Sequence, residues 1–405
     1  MSERFVIVGS GIAAVSAVKA IREVNADTEI HMFGDEKFYP YNRIKLSKSL
    51  FEQLREEEIL LQKKEWFETN KVRLYLGTKV MNIDILNQEL VLSNGSREKY
   101  GKLLLANGAS NSIPPIKGID GPCVYTLRGL EDAWNISENV RNKNVVINIG
   151  AGSQGLETAW ILHRHGKKVI IVQRNRRLMP RELDETGSRI LLDYVENQNI
   201  QVLLNTQFDS ITPNGRVECR TKAGDNIICD MVIYSAGISP NIQLLNGTQI
   251  KVNHGIVVDG NMRTNKANIY AAGDVAEFEG RVTGLWNIAI AQGRTAGYNM
   301  AGKEAVYEHI VPVTTLNAFG TSLFSMGDVE EKEHTYIMTS EDDKNRTYKK
   351  IFIDNHKIVG AIVIGDTKKS PIIKAAIEHE MSLENVNLDK TSVDELLEKL
   401  RKKEI

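Results

Sequence analysis

Two segments of six residues, 9–14 and 150–155, combine glycines at a fixed spacing with small neighbours. They read Gly-Ser-Gly-Ile-Ala-Ala and Gly-Ala-Gly-Ser-Gln-Gly. A phosphate group can approach a peptide backbone closely only where side chains are absent, and free N–H groups at a helix start then bind it. The third position of the pattern needs only a small residue, which Ala14 supplies. Each segment therefore predicts a binding site for the pyrophosphate of a dinucleotide.

The flanking residues place both segments between a strand and a helix. Residues 5–8 and 145–149 are apolar runs typical of buried strands, and apolar residues at helical spacing follow each glycine segment. The alternative is that one segment is a degenerate copy that keeps the fold and binds nothing. Two working sites would pair a flavin nucleotide with a nicotinamide nucleotide, because adjacent binding of those two permits hydride transfer.

The composition is that of a globular protein with more than one domain. The 405 residues exceed what one hydrophobic core usually organises, so two or three domains are expected. Lys plus Arg is 51 against 52 for Asp plus Glu, which gives no electrostatic attraction for nucleic acid. No apolar run reaches the roughly 18 residues of a membrane span, and the first residues lack the pattern of a signal peptide. We expect no membrane association and a cytoplasmic location.

Cysteine and histidine form no pattern of metal ligands. Cys123, Cys219 and Cys229 lie far apart, without a Cys-x-x-Cys pair, and are interpreted as structural thiols. His163 and His165 are two positions apart on a predicted helix and therefore point to different faces. No metal site is predicted.

Further motifs extend along nearly the whole chain. They are Gly-Asp-Glu at 34–36, Tyr-Pro-Tyr-Asn-Arg-Ile-Lys-Leu-Ser-Lys at 39–48, Leu-Leu-Leu-Ala-Asn-Gly-Ala at 103–109, Ser-Ala-Gly-Ile-Ser-Pro-Asn at 235–241, Ile-Tyr-Ala-Ala-Gly-Asp-Val-Ala-Glu at 269–277 and Lys-Ile-Val-Gly-Ala-Ile-Val-Ile-Gly-Asp at 357–366. With these motifs the sequence resembles the FAD-dependent pyridine nucleotide reductases. The resemblance is closest to their NADH:rubredoxin reductase branch, which is similar to the flavin module of assimilatory nitrite reductases. Asn107 stands where the third motif usually has Thr.

The resemblance implies an α/β fold with two Rossmann-like dinucleotide-binding domains, as in glutathione reductase, and a small α+β C-terminal domain. The FAD-binding domain is expected over residues 1–110 and 241–305. The NAD(P)-binding domain is expected over 111–240 and the C-terminal domain over 306–405. In the last of these, the alternating residues of 357–366 predict a strand.

The resemblance also assigns residues to the cofactors. Lys48 and Glu157 match an ion pair beside N5 of the flavin and are expected to be catalytic, although exposed charges elsewhere are commonly only solvated. The positions matched for FAD are Gly9, Gly11, Ile12, Ala13, Ala14, Asp35, Glu36, Arg43, Lys48, Val80, Ala106, Asn107, Gly108, Gly273, Asp274, Trp286 and Ile288. Those matched for the nicotinamide nucleotide are Gly150, Gly152, Gln154, Gly155, Glu157, Gln173, Arg174 and Gly237.

Several of these assignments have a physical reason. The resemblance implies that Asp274 accepts hydrogen bonds from the ribityl chain of FAD. It also implies that the helix starting near Asn287 and Ile288 points its N-terminus at the pyrimidine edge, where a helix dipole stabilises negative charge. Arg43 suits a phosphate or ribityl contact, because guanidinium binds phosphate through two hydrogen bonds. Trp286 either stacks near the flavin or the nicotinamide, or is a core tryptophan.

The electron acceptor is inferred from a missing residue. Related disulfide, peroxide and coenzyme A reductases pass electrons through a cysteine beside the flavin, whereas this sequence has no cysteine before Cys123. Electrons are therefore expected to leave directly from the flavin, which suits a small acidic iron–sulfur carrier such as rubredoxin or ferredoxin. The alternatives are an NAD(P)H oxidase or quinone-type reductase, and a flavin subunit of a larger reductase such as nitrite reductase. We expect a monomer or a homodimer.

The donor is predicted from the end of the apolar run 169–172. An acidic residue at this point commonly accepts hydrogen bonds from the ribose of NAD, and Gln173 takes its place here. Arg174 and Arg176 follow within reach of a 2′-phosphate. These residues predict use of both NADH and NADPH. The alternative is that both arginines are solvated and Gln173 binds the ribose hydroxyls of NADH alone.

Overall fold

The computed structural model describes residues 4–52, 54–342 and 344–403, so the predicted domain limits at residues 1 and 405 lie outside the described residues. The backbone divides into two units. The first unit comprises Met1–Leu46, Glu52–Ser112 and Ile238–His309. The second unit comprises Ser47–Phe51, Ile113–Gly237 and Ile310–Ile405.

The N-terminal part of the chain begins with a β-α-β unit, continues through short helices and ends in a run of strands. In order, the elements up to residue 112 are β1 (Phe5–Val8), α1 (Ile12–Val24), β2 (Ile30–Phe33), α2 (Ile44–Lys48), α3 (Glu56–Ile59), α4 (Lys64–Thr69), β3 (Val72–Tyr75), β4 (Val80–Asp84), β5 (Glu89–Leu92), β6 (Arg97–Lys99), β7 (Lys102–Leu105) and β8 (Ala109–Asn111). The strand, turn and helix predicted around the first glycine segment are present as β1, residues 9–11 and α1.

The next part of the chain repeats this arrangement. Up to residue 237 the elements are β9 (Val124–Thr126), α5 (Leu130–Asn139), β10 (Val145–Ile149), α6 (Ser153–Arg164), β11 (Lys168–Val172), α7 (Glu185–Glu196), β12 (Gln201–Leu203), β13 (Phe208–Asn214), β14 (Arg216–Thr221), β15 (Asn226–Cys229) and β16 (Met231–Tyr234).

The remaining elements belong to the return into the first unit and to the C-terminal region. The return contains β17 (Ile238–Pro240), a short 3-10 turn (Gln243–Leu245), β18 (Ile256–Val258), β19 (Ile269–Ala271), β20 (Ala276–Phe278) and α8 (Trp286–Met300). The C-terminal region contains β21 (Val313–Ala318), β22 (Thr321–Gly327), β23 (Tyr336–Asp342), β24 (Thr347–Asp354), β25 (Lys357–Ile364), α9 (Ser370–Glu378), a 3-10 turn (Leu388–Lys390) and α10 (Val393–Lys402).

The first unit is organised by a parallel sheet with strand order β19-β7-β1-β2-β3. β1 and β2 are buried along their whole length, as their apolar residues predict for a covered parallel sheet. Helices α1 and α8 pack backbone to backbone, because a Cβ placed on Gly293 would lie 2.2 Å from the carbonyl oxygen of Ala13. Small sheets β4-β5-β6, β8-β17 and β18-β20 complete the unit.

The second unit contains its own parallel sheet, in the order β12-β11-β10-β16-β9, and an antiparallel sheet β13-β14-β15. The C-terminal region adds an antiparallel sheet in the order β21-β22-β25-β24-β23. Apolar residues of α9 and α10, including Ile373 and Leu396, cover one face of this sheet. The predicted α/β fold with two Rossmann-like sheets and a small α+β C-terminal domain is confirmed, and the strand predicted at 357–366 is β25.

Two of the three cysteines are neighbours in the structure, although ten positions separate them in the sequence. The β14–β15 hairpin brings Cys219 and Cys229 together, with 4.0 Å between their sulfur atoms, and both side chains are fully buried. Antiparallel pairing places residues that are ten positions apart on one face of adjacent strands. The Cys-x-x-Cys criterion could not detect this pair, because the hairpin register is not visible in residue spacing alone.

Within residues 4–52, 54–342 and 344–403, no helix combines the length and apolar character needed to cross a lipid bilayer.

Candidate functional site

The first glycine turn joins β1 to α1 in the first unit. Gly9 has φ +107°, and a Cβ there would lie 2.1 Å from the carbonyl oxygen of Ala106, so only glycine fits. A Cβ on Gly11 would meet nothing within 4 Å, which leaves open space beside the start of α1. Ala13 and Ala14 are buried beneath the turn, while Ile12 is partly exposed. The turn thus exposes backbone where a phosphate would bind.

The second glycine turn, between β10 and α6, has the same geometry. Gly150 has φ +105°, and a Cβ there would lie 2.4 Å from the carbonyl oxygen of Ser235. Gly152 faces open space, as Gly11 does. Gly155 packs directly on the turn, since a Cβ there would lie 2.3 Å from the Gly150 carbonyl oxygen. The side-chain amide of Asn148 donates to the same carbonyl at 2.8 Å and braces the turn.

A second part of the first unit meets the first glycine turn. Gly273, just after β19, has φ +81°, and a Cβ there would lie 3.0 Å from the Cβ of Ala13. Its N–H donates to Oε1 of Gln292 at 2.9 Å, and Gln292 is buried on α8. Asp274 is half-buried beside it. Two motifs that are some 260 positions apart in the sequence are therefore neighbours at the first glycine turn.

Helix α8 begins at Trp286, next to the predicted start at Asn287 and Ile288. Ile288 is buried, whereas Trp286 is only partly buried. Trp286 is therefore less enclosed than Ile288. Its stacking role stays a prediction.

Side chains of the motifs at 34–36 and 39–48 form an ionic cluster. The hydroxyl of Tyr41 donates to Glu36 at 2.5 Å, and the guanidinium of Arg43 forms an ion pair with the same carboxylate. Arg43 also donates to the Tyr41 oxygen at 3.1 Å. Asp35 is exposed and Val80 is buried at the start of β4. The assignment of these residues to FAD stays a prediction.

Asn107 is joined to Asn241, the last residue of the 235–241 motif, which was not among the predicted site residues. Each side-chain amide donates to the other residue's backbone carbonyl, at 2.8 Å and 2.9 Å. Ala106 is buried and Gly108 has φ +65°, so the segment turns sharply after β7. The side-chain oxygen of Asn107 is buried and has no hydrogen-bond partner among the described residues. This oxygen is therefore a hydrogen-bond acceptor at a position that the resemblance assigns to FAD.

Ser47, Lys48 and Glu157 form a cluster in the second unit. The Ser47 hydroxyl donates to Oε2 of Glu157 at 2.8 Å. The ammonium nitrogen of Lys48 lies 3.7 Å from Oε1 of the same carboxylate. Glu157 lies on α6, five residues after Gly152, so the glycine turn and the carboxylate belong to one helix. Ser47 was missed as a site residue, although it lies inside the Leu-Ser-Lys motif.

The other nicotinamide positions surround the second glycine turn. Gln154 donates from its side chain to the carbonyl of Leu127 at 2.7 Å. Gln173 is buried at the end of β11, and its amide lies 3.4 Å from the carbonyl of Arg177. Arg174 is exposed, and Gly237 has φ +97° beside open space. Their roles in binding stay predictions.

Arg176 is exposed, and its contact with a 2′-phosphate stays a prediction. Its guanidinium forms an ion pair with Glu185 at the start of α7. An arginine engaged in this way has to break that pair before it can bind a 2′-phosphate. Among the described residues, no group of three or more His, Cys, Asp and Glu side chains is arranged to hold a metal ion.

Comparison with known sequence families gives two matches. Residues 3–293 match the family described as pyridine nucleotide-disulphide oxidoreductase. Residues 312–381 match the family described as rubredoxin NAD+ reductase C-terminal domain. The first match contains both glycine turns, and the second contains most of the antiparallel C-terminal sheet.

Individual proteins resemble the chain over most of its length. The chain is 31% identical over 400 residues to an NADH-rubredoxin oxidoreductase of Clostridium acetobutylicum, covering 98% of this chain and 100% of that one. A crystal structure of NADH:rubredoxin oxidoreductase from the same organism superposes with a TM-score of 0.80 at 30% identity, again covering 98% and 100%. An assimilatory nitrate reductase electron transfer subunit of Bacillus subtilis is 32% identical over 90% of this chain. The chain spans only 48% of that subunit, about half its length.

Proposed function

Because the chain belongs to the pyridine nucleotide-disulphide oxidoreductase family, we propose that it is an FAD-dependent NAD(P)H oxidoreductase whose acceptor is a one-electron iron–sulfur carrier, in the first place rubredoxin. The observation that carries the proposal is the pair of matching glycine turns, at Gly9 and Gly150, on a chain without a cysteine before Cys123. The end-to-end similarity to an NADH-rubredoxin oxidoreductase supports the choice of carrier.

The residues of the first unit fit FAD. Gly9 packs closely against Ala106, Gly11 leaves open space beside the start of α1, and Gly273 brings Asp274 to the same place. The unsatisfied side-chain oxygen of Asn107 supplies a further acceptor. Bound FAD supplies a redox centre that accepts two electrons as a hydride and gives them up singly. We assign the FAD-binding domain to residues 1–110 and 241–305. These ranges are close to those of the first unit.

The residues of the second unit fit a nicotinamide dinucleotide. The N-terminus of α6 and the open side of Gly152 would hold the pyrophosphate. Glu157 lies further along the same helix, on the nicotinamide side of the reaction. Ser47 holds one oxygen of its carboxylate, which fixes the orientation of that group, and Lys48 places a positive charge 3.7 Å from the other oxygen. We assign Lys48 and Glu157 to hydride transfer and Ser47 to positioning Glu157.

NADH is the donor supported by the relatives, and we extend the proposal to NADPH. The extension rests on the neutral side chain of Gln173 and on the exposed Arg174, which leave no carboxylate against a 2′-phosphate. The NAD(P)-binding domain is assigned to 111–240 and the C-terminal domain to 306–405. The partner is a small acidic iron–sulfur protein, and the enzyme acts as a monomer or a homodimer.

A second candidate function is a flavin subunit of a larger reductase. It is favoured by the similarity to the Bacillus subtilis electron transfer subunit, of which the chain spans 48%. In that case the acceptor would belong to another domain or another chain. Rubredoxin would then be a poor substrate.

The proposal is tested by steady-state reduction of rubredoxin, ferredoxin, a quinone and dioxygen, measured in parallel with the purified, FAD-loaded protein. We expect rapid reduction of rubredoxin at low concentration and slower reduction of the quinone and dioxygen. Faster turnover with a quinone or dioxygen would identify a reductase of small molecules. Negligible turnover with all four acceptors would favour the subunit of a larger complex.

A further inference from the structure

The residues that follow β11 lie against the second glycine turn. We define this segment as residues 173–184, which connect β11 to α7. The N–H of Met179 donates to the carbonyl of Ala151 at 3.1 Å, and Ala151 is the middle residue of the Gly150–Gly152 turn. Leu178, Met179 and Leu183 are fully buried. This segment therefore packs against the turn to which we assign the dinucleotide.

The antiparallel C-terminal sheet holds the far end of the same segment. On β24, Lys350 and Tyr348 are two residues apart and point to one face of the sheet. The ammonium of Lys350 lies 2.7 Å from Oδ2 of Asp184, and the hydroxyl of Tyr348 donates to the same oxygen at 2.6 Å. From β22, the hydroxyl of Ser325 donates to the carbonyl of Glu182 at 2.6 Å. Strands β22 and β24 thus both hold the 173–184 segment through side-chain hydrogen bonds and an ion pair.

Asp184 also connects the C-terminal sheet to helix α7. Its other oxygen, Oδ1, accepts the N–H of Gly187 at 2.9 Å, so Asp184 is the N-cap of the helix. Burial opposes ionisation of Asp184, but hydrogen bonds from Lys350, Tyr348 and Gly187 outweigh it and lower the pKa of the carboxyl below its usual value. Lys350 is also paired with Glu331. Because Lys350 is 8% exposed and Asp184 13%, loss of Lys350 would leave the buried carboxylate of Asp184 without this ion pair.

We propose that Lys350 and Tyr348 of the C-terminal sheet are positioning residues for the nicotinamide dinucleotide, acting through Asp184 and the 173–184 segment. This inference rests on the proposed function of the second glycine turn. It gives the C-terminal sheet a role in binding the electron donor. Neither residue has to touch the dinucleotide for this role.

The test compares Lys350→Met with a matched control on the same strand. Lys349 is the neighbouring residue, points to the opposite face and pairs with Asp394 of α10 at 2.6 Å. Lys349→Met therefore removes an ion pair of β24 without touching the 173–184 segment. Lys350→Arg keeps the charge, and Tyr348→Phe removes one hydrogen bond only. Tyr348→Phe still tests the inference if Lys350→Met does not fold.

Two readouts are needed, and one of them is independent of any acceptor. The first is KM for NADH against kcat in the FAD-loaded protein. The second is the rate of tryptic cleavage after Arg174, Arg176, Arg177 and Arg181, with and without NAD+. We expect Lys350→Met to raise KM by about fivefold or more with kcat largely retained, and to accelerate cleavage. Tyr348→Phe should act in the same direction more weakly, and Lys350→Arg should recover most of the wild-type behaviour.

Two results would overturn the inference. One is wild-type KM and wild-type cleavage in folded Lys350→Met and Tyr348→Phe. The other is an equal rise of KM in Lys350→Met and Lys349→Met, because a general weakening of the sheet would then explain the effect. Absence of NADH oxidation by the FAD-loaded wild-type protein would instead overturn the proposed function, on which the inference rests.

Discussion

The hydroxyl of Ser47 donates a hydrogen bond to Glu157, a residue 110 positions away in the chain, with 2.8 Å between the two oxygens. Lys48, the next residue, lies on the other side of the same carboxylate. The backbone at the end of α2 therefore presents two groups to one acceptor. Glu157 can keep a fixed orientation while Lys48, which is 55% exposed, remains able to move.

Replacement of these residues should slow reduction of the flavin by NADH without loss of FAD. We expect anaerobic bleaching to slow by about tenfold or more in Lys48→Met and Glu157→Gln, a barrier increase of about 1.4 kcal/mol. Ser47→Ala should have a smaller effect, because it removes a hydrogen bond that orients Glu157 and leaves Lys48 and Glu157 themselves in place. Stopped-flow absorbance measures the rates, with Lys45→Met as a control on the same helix. Unchanged rates in both the Lys48 and Glu157 variants would remove the pair from the mechanism.

The flavin should be bound without a covalent link. No His, Cys or Tyr lies in a recognisable flavinylation motif, so the purified protein should be yellow with one FAD per chain. Acid precipitation should release the colour into the supernatant, where absorbance quantifies it. Colour that stays with the precipitate would show that this prediction is wrong.

Coenzyme choice should depend on Gln173. The wild-type protein should use NADH and NADPH, and Gln173→Glu should shift kcat/KM towards NADH, because a carboxylate repels a 2′-phosphate. Arg174→Ala should lower kcat/KM for NADPH by about tenfold, the typical value of one charge-assisted contact. Arg176→Ala should have less effect, since Arg176 is paired with Glu185. A wild-type preference for NADH of a thousandfold, about 4 kcal/mol, would exclude dual use.

No cysteine should take part in turnover. Cys219 and Cys229 form a buried pair in the β14–β15 hairpin, and Cys123 is the only other cysteine. Replacing all three by Ala should leave acceptor reduction largely intact. The free energy of unfolding should fall, because the two buried sulfur atoms are removed from a packed core. A triple variant that folds, binds FAD and yet does not reduce its acceptor would contradict direct transfer from the flavin.

Stability in acid should depend on Asp184. Its pKa is lower in the folded chain than the roughly 3.9 of an unfolded Asp, so ionised Asp184 stabilises the fold above that value. The contribution is lost as the pH falls through the lower, folded pKa. Asp184→Asn keeps an N-cap but lacks this contribution. The difference in free energy of unfolding between wild type and variant should be largest near neutral pH and should shrink below about pH 4. A constant difference, measured by urea unfolding from pH 3 to 7, would contradict it.

The parts of the fold that the sequence predicted correctly are those set by local physics. The turns at Gly9 and Gly150 require glycine for reasons confined to a strand, a turn and one neighbouring carbonyl. The start of α8 was implied by the family resemblance, whereas β25 was predicted from the alternation of its own residues. These signals lie within a few residues of the feature that they predict.

The features that were missed depend on contacts between distant residues. Ser47 meets Glu157, and Asn107 meets Asn241, through positions that no local pattern links. The pairing of Lys350 with Asp184 joins residues 166 positions apart, on a strand and a loop that no motif links. Such contacts depend on how sheets and loops pack, which residue spacing does not encode.

The order of the elements along the chain has a consequence for synthesis on the ribosome. The parallel sheet of the second unit is assembled entirely from β9 to β16, so all of its strands have been made by residue 234. The sheet of the first unit lacks its edge strand, β19, until residue 271, and α1 lacks its partner α8 until residue 300. A nascent chain ending near residue 240 therefore holds an unfinished first sheet whose edge strand β7 is still unpaired on one side. Translation beyond that point closes a loop of more than 160 residues between β7 and β19.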